Sequence, residues 1–193
     1  KRIKTMLDYI LEFDRELLLY LNNLGQEPWD KFWFTVTNKW SSIPLYVLLL
    51  FLMAKGLCKK GVVLLVLCLA AMISFTDQVT NLFKDGFERL RPCAQEGVVE
   101  FLRLGDCNGF GFFSGHSSNS MAAAVFTILM LKSKYRKFIF LMIPWSLMVG
   151  YSRIYIGKHY PLDVVCGLAF GVISGYLFYV FFSKLKTRFI NLQ

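Results

Sequence analysis

The sequence predicts an all-α fold: an integral membrane bundle of about five transmembrane helices, with one amphipathic helix lying on the bilayer beside it. Three observations carry that prediction. Hydrophobic residues make up 55% of the 193 and the mean hydropathy is +0.47, above the apolar content of an ordinary soluble domain. The apolar residues gather in nearly charge-free runs that approach the ~20 residues needed to cross a bilayer. Basic residues concentrate in the short connections between those runs.

In chain order, residues 1–25 read as the amphipathic helix. Met6, Leu7, Ile10, Leu11, Leu17, Leu18, Leu21 and Leu24 recur at helical spacing, while Asp8, Glu12, Arg15 and Glu16 fall on the other side. Six charges between Lys4 and Glu16 argue against a span and for a helix at the membrane surface. The segment has neither the compact apolar core nor the small-residue cleavage site of a signal peptide. The chain begins with Lys rather than Met, so its natural start is expected upstream. The spans follow at roughly 30–54, 61–84, 115–132, 138–156 and 162–183, the first joining the aromatic stretch Trp29–Trp40 to the apolar run 43–54. One domain covers 1–193, with 85–114 as an extracytoplasmic loop. A soluble helical core would need several amphipathic helices to cover it, and the sequence offers one.

The connections set the orientation. Lys55, Lys59, Lys60, Lys132, Lys134, Arg136, Lys137, Lys184, Lys186 and Arg188 are ten basic residues with no acidic one among them. The positive-inside rule makes these three segments cytoplasmic. The net charge of +9 is then mostly a topology signal, and no nucleic-acid partner is needed to explain it. Residues 85–114 and 153–161 fall on the outer side, with Lys1, Arg2 and Lys4 beside them against the rule. The polar residues of the spans now line up. Asp77, Asn81 and Lys84 end the second span, and Ser114, His116, Ser117, Ser118, Asn119 and Ser120 begin the third. Ser152 and Arg153 end the fourth, and Asp163 begins the fifth. All these ends are outer ends. Polar groups at membrane depth are costly and mark function.

The chemistry follows from the inventory. Lys84, Arg91, Arg153 and Lys158 beside a Ser-Gly-His turn that opens a helix predict a bound oxyanion, since helix-start N–H groups suit phosphate and Arg forks onto its oxygens. Two histidines without converging carboxylates do not fill a zinc or magnesium shell, so no metal or other cofactor is expected. His159 and Asp163, four apart around Pro161, share a face at the start of the fifth helix. A carboxylate on one ring nitrogen would fix the tautomer and free the other nitrogen to attack phosphorus; the alternative for this pair is a helix-capping bond. His116 remains to protonate the departing oxygen.

"KDGFERLRP" (Lys84 to Pro92), "FSGH" (Phe113 to His116) and "SRIYIGKHYPLD" (Ser152 to Asp163) resemble the three signature motifs of the type 2 phosphatidic acid phosphatase (PAP2) superfamily. The patterns are Lys, six residues, Arg-Pro; Pro-Ser-Gly-His; and Ser-Arg, five residues, His, three residues, Asp. The chain departs from them at Phe113, where the family has Pro. The resemblance covers about residues 60 to 183. It implies that Lys84, Arg91 and Arg153 bind the phosphate oxygens with Ser114 and Gly115. It makes His159 the nucleophile that forms a phosphohistidine, Asp163 its orienting partner and His116 the general acid, without a metal.

The implied enzyme is a lipid phosphatase whose partners are the bilayer and a lipid phosphate: undecaprenyl diphosphate, lipid A, phosphatidylglycerol phosphate or phosphatidic acid. It would sit in a bacterial inner membrane with its site on the periplasmic side. A lipid phosphotransferase using the same phosphohistidine, and a non-enzymatic lipid-binding or transport protein, are the alternatives. Cys93 and Cys107 share the outer loop and are expected to form a disulfide that restrains Arg91. Between them, "AQEGVVEFLRLGD" reads as a short helix presenting Val98, Val99, Phe101 and Leu102. Gly167, Gly171 and Gly175 recur every four residues, a pattern for close packing within the bundle.

Overall fold

The computed structural model describes residues 5–103 and 107–189; the expected outer position of Lys1, Arg2 and Lys4 lies outside the described residues. Among the described residues, seven α-helices carry the fold: α1 (Met6–Asn23), α2 (Glu27–Thr37), α3 (Ile43–Ala54), α4 (Lys59–Phe87), α5 (Gly115–Ile139), α6 (Met142–Tyr155) and α7 (Pro161–Phe189).

α1 starts at a capping box. The Thr5 hydroxyl accepts from the Asp8 N–H at 3.3 Å, and the Asp8 carboxylate accepts from the Thr5 N–H at 2.7 Å. The face turned to the bundle takes only Leu18 and Leu21 from the expected leucine stripe. Its fully buried line is Asp14, Leu18, Asn22, spaced by four. Leu18 packs among Val98, Ile154, Tyr160 and Val164, while Met6, Leu7, Tyr9 and Phe13 stay exposed. Polar anchors, not apolar matching alone, seat this helix.

The span expected over 30–54 is broken. α2 stops at Thr37, a 3₁₀ turn spans Lys39–Ser42, and α3 restarts with a bend of 66°. The cause is local. Asn38 caps the turn by accepting from the Trp40 N–H at 3.0 Å, and Pro44 in the first turn of α3 cannot continue a ladder from upstream.

α4 shows why an apolar run becomes a two-faced span. Gly61, Leu65, Cys68, Met72, Thr76 and Thr80 form one buried stripe at helical spacing, whereas Val63, Val66, Leu67, Phe75 and Leu82 point outward. Its Leu65, Cys68 and Met72 join Phe126, Ile128, Met142 and Phe182 in the main core. α5 is longer than expected. It runs through the basic segment 132–137 to Ile139 with a kink at Tyr135, so a two-residue link leads directly into α6. α6 has 14 residues, about 21 Å of helix, short of the ~30 Å hydrocarbon core. By length and composition α4 and α7 can each cross a membrane, and the bent α2–α3 pair can do so as one span; α5 and α6 do not meet that measure. The protein is thus an all-helical membrane protein with two to three apolar spans by this criterion.

The glycine stripe of α7 is filled by α5. A Cβ on Gly167, Gly171 or Gly175 would lie 2.5, 2.5 or 2.6 Å from the carbonyl oxygens of Ser114, Ser118 and Ala122. Both residue numbers rise together, so α5 and α7 run parallel at backbone contact. Thr76 and Asp77 of α4 bond Asn119 of α5, and Cys68 reaches the Phe178 carbonyl of α7 at 3.6 Å; α4 is therefore antiparallel to both. In consequence the C-terminal ends of α4 and α6 meet the N-terminal ends of α5 and α7 at one end of the bundle.

Candidate active site

That shared end gathers the motif residues. α4 terminates at Glu88, whose left-handed φ of 48° and N–H to the Lys84 carbonyl at 2.9 Å turn the chain sharply over the bundle end. The following strand-like stretch is pinned on two sides. Arg91 N–H donates to the Gly109 carbonyl at 3.2 Å and Gly111 N–H to the Arg89 carbonyl at 2.8 Å. Cys93 N–H donates to the Gly157 carbonyl at 3.2 Å, tying the first motif to the third. Ser114 N–H donates to the Asp163 carbonyl at 3.0 Å, tying the second to the third. Cys93 and Cys107 are disulfide-bonded with Cα atoms 5.5 Å apart. The expected helix between them is a single 3₁₀ turn, Val99–Phe101. Its neighbour Val98 is fully buried against α1, while Phe101 is exposed.

The cationic residues surround one region. Lys84 lies within electrostatic reach of Arg91 and Arg153. His116 is in reach of Arg153, His159, Lys84 and Lys158, and His159 of Arg153 and Arg91. A Cβ on Gly115 would stand 4.0 Å from the Lys84 Nζ. Arg153 and His159 are buried at the bottom, Lys84 and Arg91 are half-buried, and His116 is open at the mouth. Arg153 donates through Nη1 to the Thr37 hydroxyl at 2.5 Å, but its buried Nε has no partner among the described residues. A buried guanidinium N–H left unpaired is a donor awaiting an acceptor. Among the described residues no group of three or more His, Cys, Asp and Glu side chains is arranged to hold a metal ion.

The two roles expected of Ser114 and Gly115 separate. Ser114 is fully buried; its N–H is committed to Asp163 and its hydroxyl accepts from the Ser117 hydroxyl at 2.9 Å. Gly115 and His116, at the start of α5, have N–H groups with no intrahelical acceptor by position. Ser117 and Ser118 are buried packing and capping residues. Phe113, standing where the family has Pro, is buried and in ring contact with Phe83 at 5.1 Å and Phe170 at 5.2 Å. It packs the turn in place of a stiff imide.

Asp163 does two things at once. As the third residue of α7 it accepts the Tyr160 N–H on Oδ2 at 3.0 Å, the helix-capping bond considered above. The same Oδ2 stands 3.6 Å from His159 Nδ1, too long for a hydrogen bond, and Nδ1 is buried without a partner among the described residues. Catalytic bonds of this kind are often long before substrate binds. Burial pushes the His159 pKa down to about 4, opposed by Asp163 and reinforced by Arg153 and Arg91. Its imidazole is therefore neutral at physiological pH, with Nδ1 toward Asp163.

Several residues of this region carry no motif signal. Arg89 donates to Asp163 Oδ1 at 2.7 Å and to Asp14 Oδ2 at 2.6 Å. Asn22 donates to the carbonyls of Ile154 and Tyr155 at 3.1 and 2.7 Å. Arg103 pairs with Asp30 and bonds the Tyr155 hydroxyl.

With the geometry in view, the comparisons agree. The PAP2 superfamily profile matches residues 59–187. A lipid A 4'-phosphatase of Bacteroides thetaiotaomicron is 34% identical over 190 residues, covering 95% of this chain and 83% of that protein. A lipid A 4'-phosphatase of Porphyromonas gingivalis is 30% identical over 191 residues, covering 96% and 79%. The crystal structure of LpxE from Aquifex aeolicus superposes with a TM-score of 0.63 at 26% identity, covering 84% of this chain and 92% of that one. The phosphatidylglycerolphosphate phosphatase of Bacillus subtilis shares the fold, with a TM-score of 0.74 at 22% identity over 93% and 89%. By motif, fold and kinship alike, this chain belongs to the PAP2 superfamily and is a phosphoric ester hydrolase of its membrane lipid phosphatases.

Proposed function

We propose that the protein removes the 4'-phosphate of lipid A through a phosphohistidine on His159, without a metal. The observation that carries the reading is the convergence, at one end of the bundle, of a neutral buried imidazole, an open second imidazole and three cations. The likeness to two lipid A 4'-phosphatases over nearly all of this chain supports the substrate.

In the reaction the three cations hold the phosphoryl oxygens: Lys84 as a point charge, Arg91 and Arg153 through guanidinium forks, with the Gly115 and His116 N–H groups beside them. Phosphoryl transfer depends chiefly on such positioning and charge neutralisation. The lone pair of His159 Nε2 forms the N–P bond as the P–O bond to the lipid breaks, and His116 gives its proton to the departing oxygen. The positive charge that develops on His159 is met by Asp163 as Nδ1–H closes onto Oδ2. Water then attacks phosphorus, His116 takes its proton, the P–N bond breaks, and inorganic phosphate leaves.

The single domain is multi-pass, with α2–α3, α4, α5, α6 and α7 read as five crossings. Of the two shorter or more polar ones, α5 is largely enclosed by its neighbours, and α6 turns Ile143, Leu147 and Met148 outward. The ten basic residues of the opposite end lie in the cytoplasm, so the site opens to the periplasmic side of a bacterial inner membrane, with α1 at that interface. Phosphate release by the purified protein in detergent, over lipid A, undecaprenyl diphosphate, phosphatidylglycerol phosphate and phosphatidic acid, tests the reading. Lipid A is expected to turn over fastest, with the 4'-phosphate lost by mass spectrometry and free phosphate matching substrate consumed. Preference for another lipid, loss of the 1-phosphate, or phosphate passed to a second lipid would contradict it.

A further inference from the structure

We infer that Arg89 and Asp14 are positioning residues for the attacking imidazole, forming with Asp163 an Asp–Arg–Asp chain, buried at both carboxylates, that ends at His159. The inference rests on the phosphohistidine reading above.

The chain is continuous and directional. Asp163, fully buried, divides its two oxygens. Oδ1 takes Arg89 Nη1 at 2.7 Å, and Oδ2 takes the Tyr160 N–H at 3.0 Å and faces His159 Nδ1 at 3.6 Å. With Oδ1 held by a guanidinium, the carboxylate cannot rotate away from the histidine. Arg89 is fixed in turn from two further sides. Its guanidinium lies 4.1 Å from the centre of the Tyr160 ring, and its Nη2 meets Asp14 Oδ2 at 2.6 Å. Tyr160 itself is tied through its hydroxyl to Gln95 at 2.7 Å. Asp14 closes the assembly by accepting the Leu162 N–H on Oδ1 at 2.8 Å, which clamps α1 onto the first turn of α7.

The charges explain why Asp14 is there. Asp163 and Arg89 alone form a neutral pair, which would give an imidazolium forming at His159 little net attraction. Asp14 neutralises the second half of the guanidinium, so the chain retains one net negative charge beside the histidine. Asp14 is only 4% exposed, and burial pushes its carboxyl above the ordinary value in spite of Arg89. A buried ionic chain is weak as a stabilising device, since desolvation offsets most of the attraction. Its geometry is suited instead to orienting a reactive group, in the way that outer partners orient histidines in metal sites.

Kinetics of full-length Asp14→Asn, Arg89→Gln, Arg89→Lys and His159→Ala, each in detergent on lipid A, provide the test. The charged and titratable groups facing His159 are Asp163, Arg91, Arg153, His116 and Lys158, and all stay unchanged in the first three variants. Asp14→Asn and Arg89→Gln are expected to lower kcat by about 10- to 100-fold, the range for loss of a group that orients a functional imidazole, with KM nearly constant. Their acid limbs in kcat/KM should move in opposite directions. Losing the Asp14 charge moves the limb to lower pH, and losing the Arg89 charge moves it to higher pH. Arg89→Lys keeps the charge and should show an intermediate kcat with an unmoved limb. If Asp14→Asn does not fold, the two Arg89 variants decide the matter. Wild-type kcat in the foldable variants, or limbs that stay put or shift the same way, would overturn the inference. Turnover surviving in His159→Ala would instead overturn the phosphohistidine reading on which it stands.

Discussion

At the scale of single residues, the site is a set of groups whose environments differ sharply over a few ångströms. His159 is buried and neutral, Asp163 is fully enclosed, and His116 is open. Because burial holds the His159 pKa at about 4, its unprotonated form persists far below the value of about 6.5 for a free imidazole. On the mechanism proposed above, a folded-state pKa lowered in this way means that activity is kept as pH falls until His159 itself takes a proton. The acid limb of kcat/KM, corrected for ionisation of the substrate phosphate, is therefore expected near pH 4; a limb near 6.5 would show that the imidazole is not buried as described. Much of this was legible in the sequence, because Lys84, Arg91, His116, Arg153 and His159 sit in short contiguous stretches at fixed spacing. Arg89 and Asp14 were not. Nothing in residue type or period connects positions 14, 89 and 163; only the folded chain brings them within hydrogen-bond distance.

At the scale of elements, the site is held by backbone close to backbone. Gly167, Gly171 and Gly175 let α7 lie directly on α5, and that contact fixes Ser114 and Asp163 relative to one another. Gly171 is the most enclosed, since a Cβ there would meet the Ser118 carbonyl at 2.5 Å and the Met121 Cβ at 2.8 Å. Gly171→Ala is expected to destabilise the bundle by about 1–3 kcal/mol, the usual result of overfilling a packed interior, and to lower the thermal midpoint in detergent. An unchanged midpoint would mean that the helices are not so close. The periodicity of the glycines made this packing readable in advance. The break between α2 and α3 was less so, because an aromatic-rich stretch followed by an apolar run looks continuous until the Asn38 cap and Pro44 are considered together. The extent of α5 was missed for a related reason. A basic segment signals which side of the membrane it occupies, but Lys and Arg are good helix formers and do not end a helix.

At the scale of the whole molecule, the fold turns a charge pattern into a sided enzyme. The ten basic connection and tail residues and the motif residues belong to opposite ends of the helices, and the orientation proposed above applies the positive-inside rule to that separation. Cys58, exposed in the link between α3 and α4, is the natural probe. A membrane-impermeant maleimide should leave Cys58 unlabelled on intact spheroplasts and label it after permeabilisation, whereas labelling from outside would invert the topology. The measurement that reaches furthest is rapid quenching of the enzyme with lipid A radiolabelled at the 4'-phosphate, followed by mapping of the trapped phosphate. The account predicts an acid-labile, alkali-stable label on the peptide carrying His159, formed and consumed at rates compatible with turnover and absent from His159→Ala. Label on another residue, or turnover with no phosphoenzyme at any quench time, would contradict it.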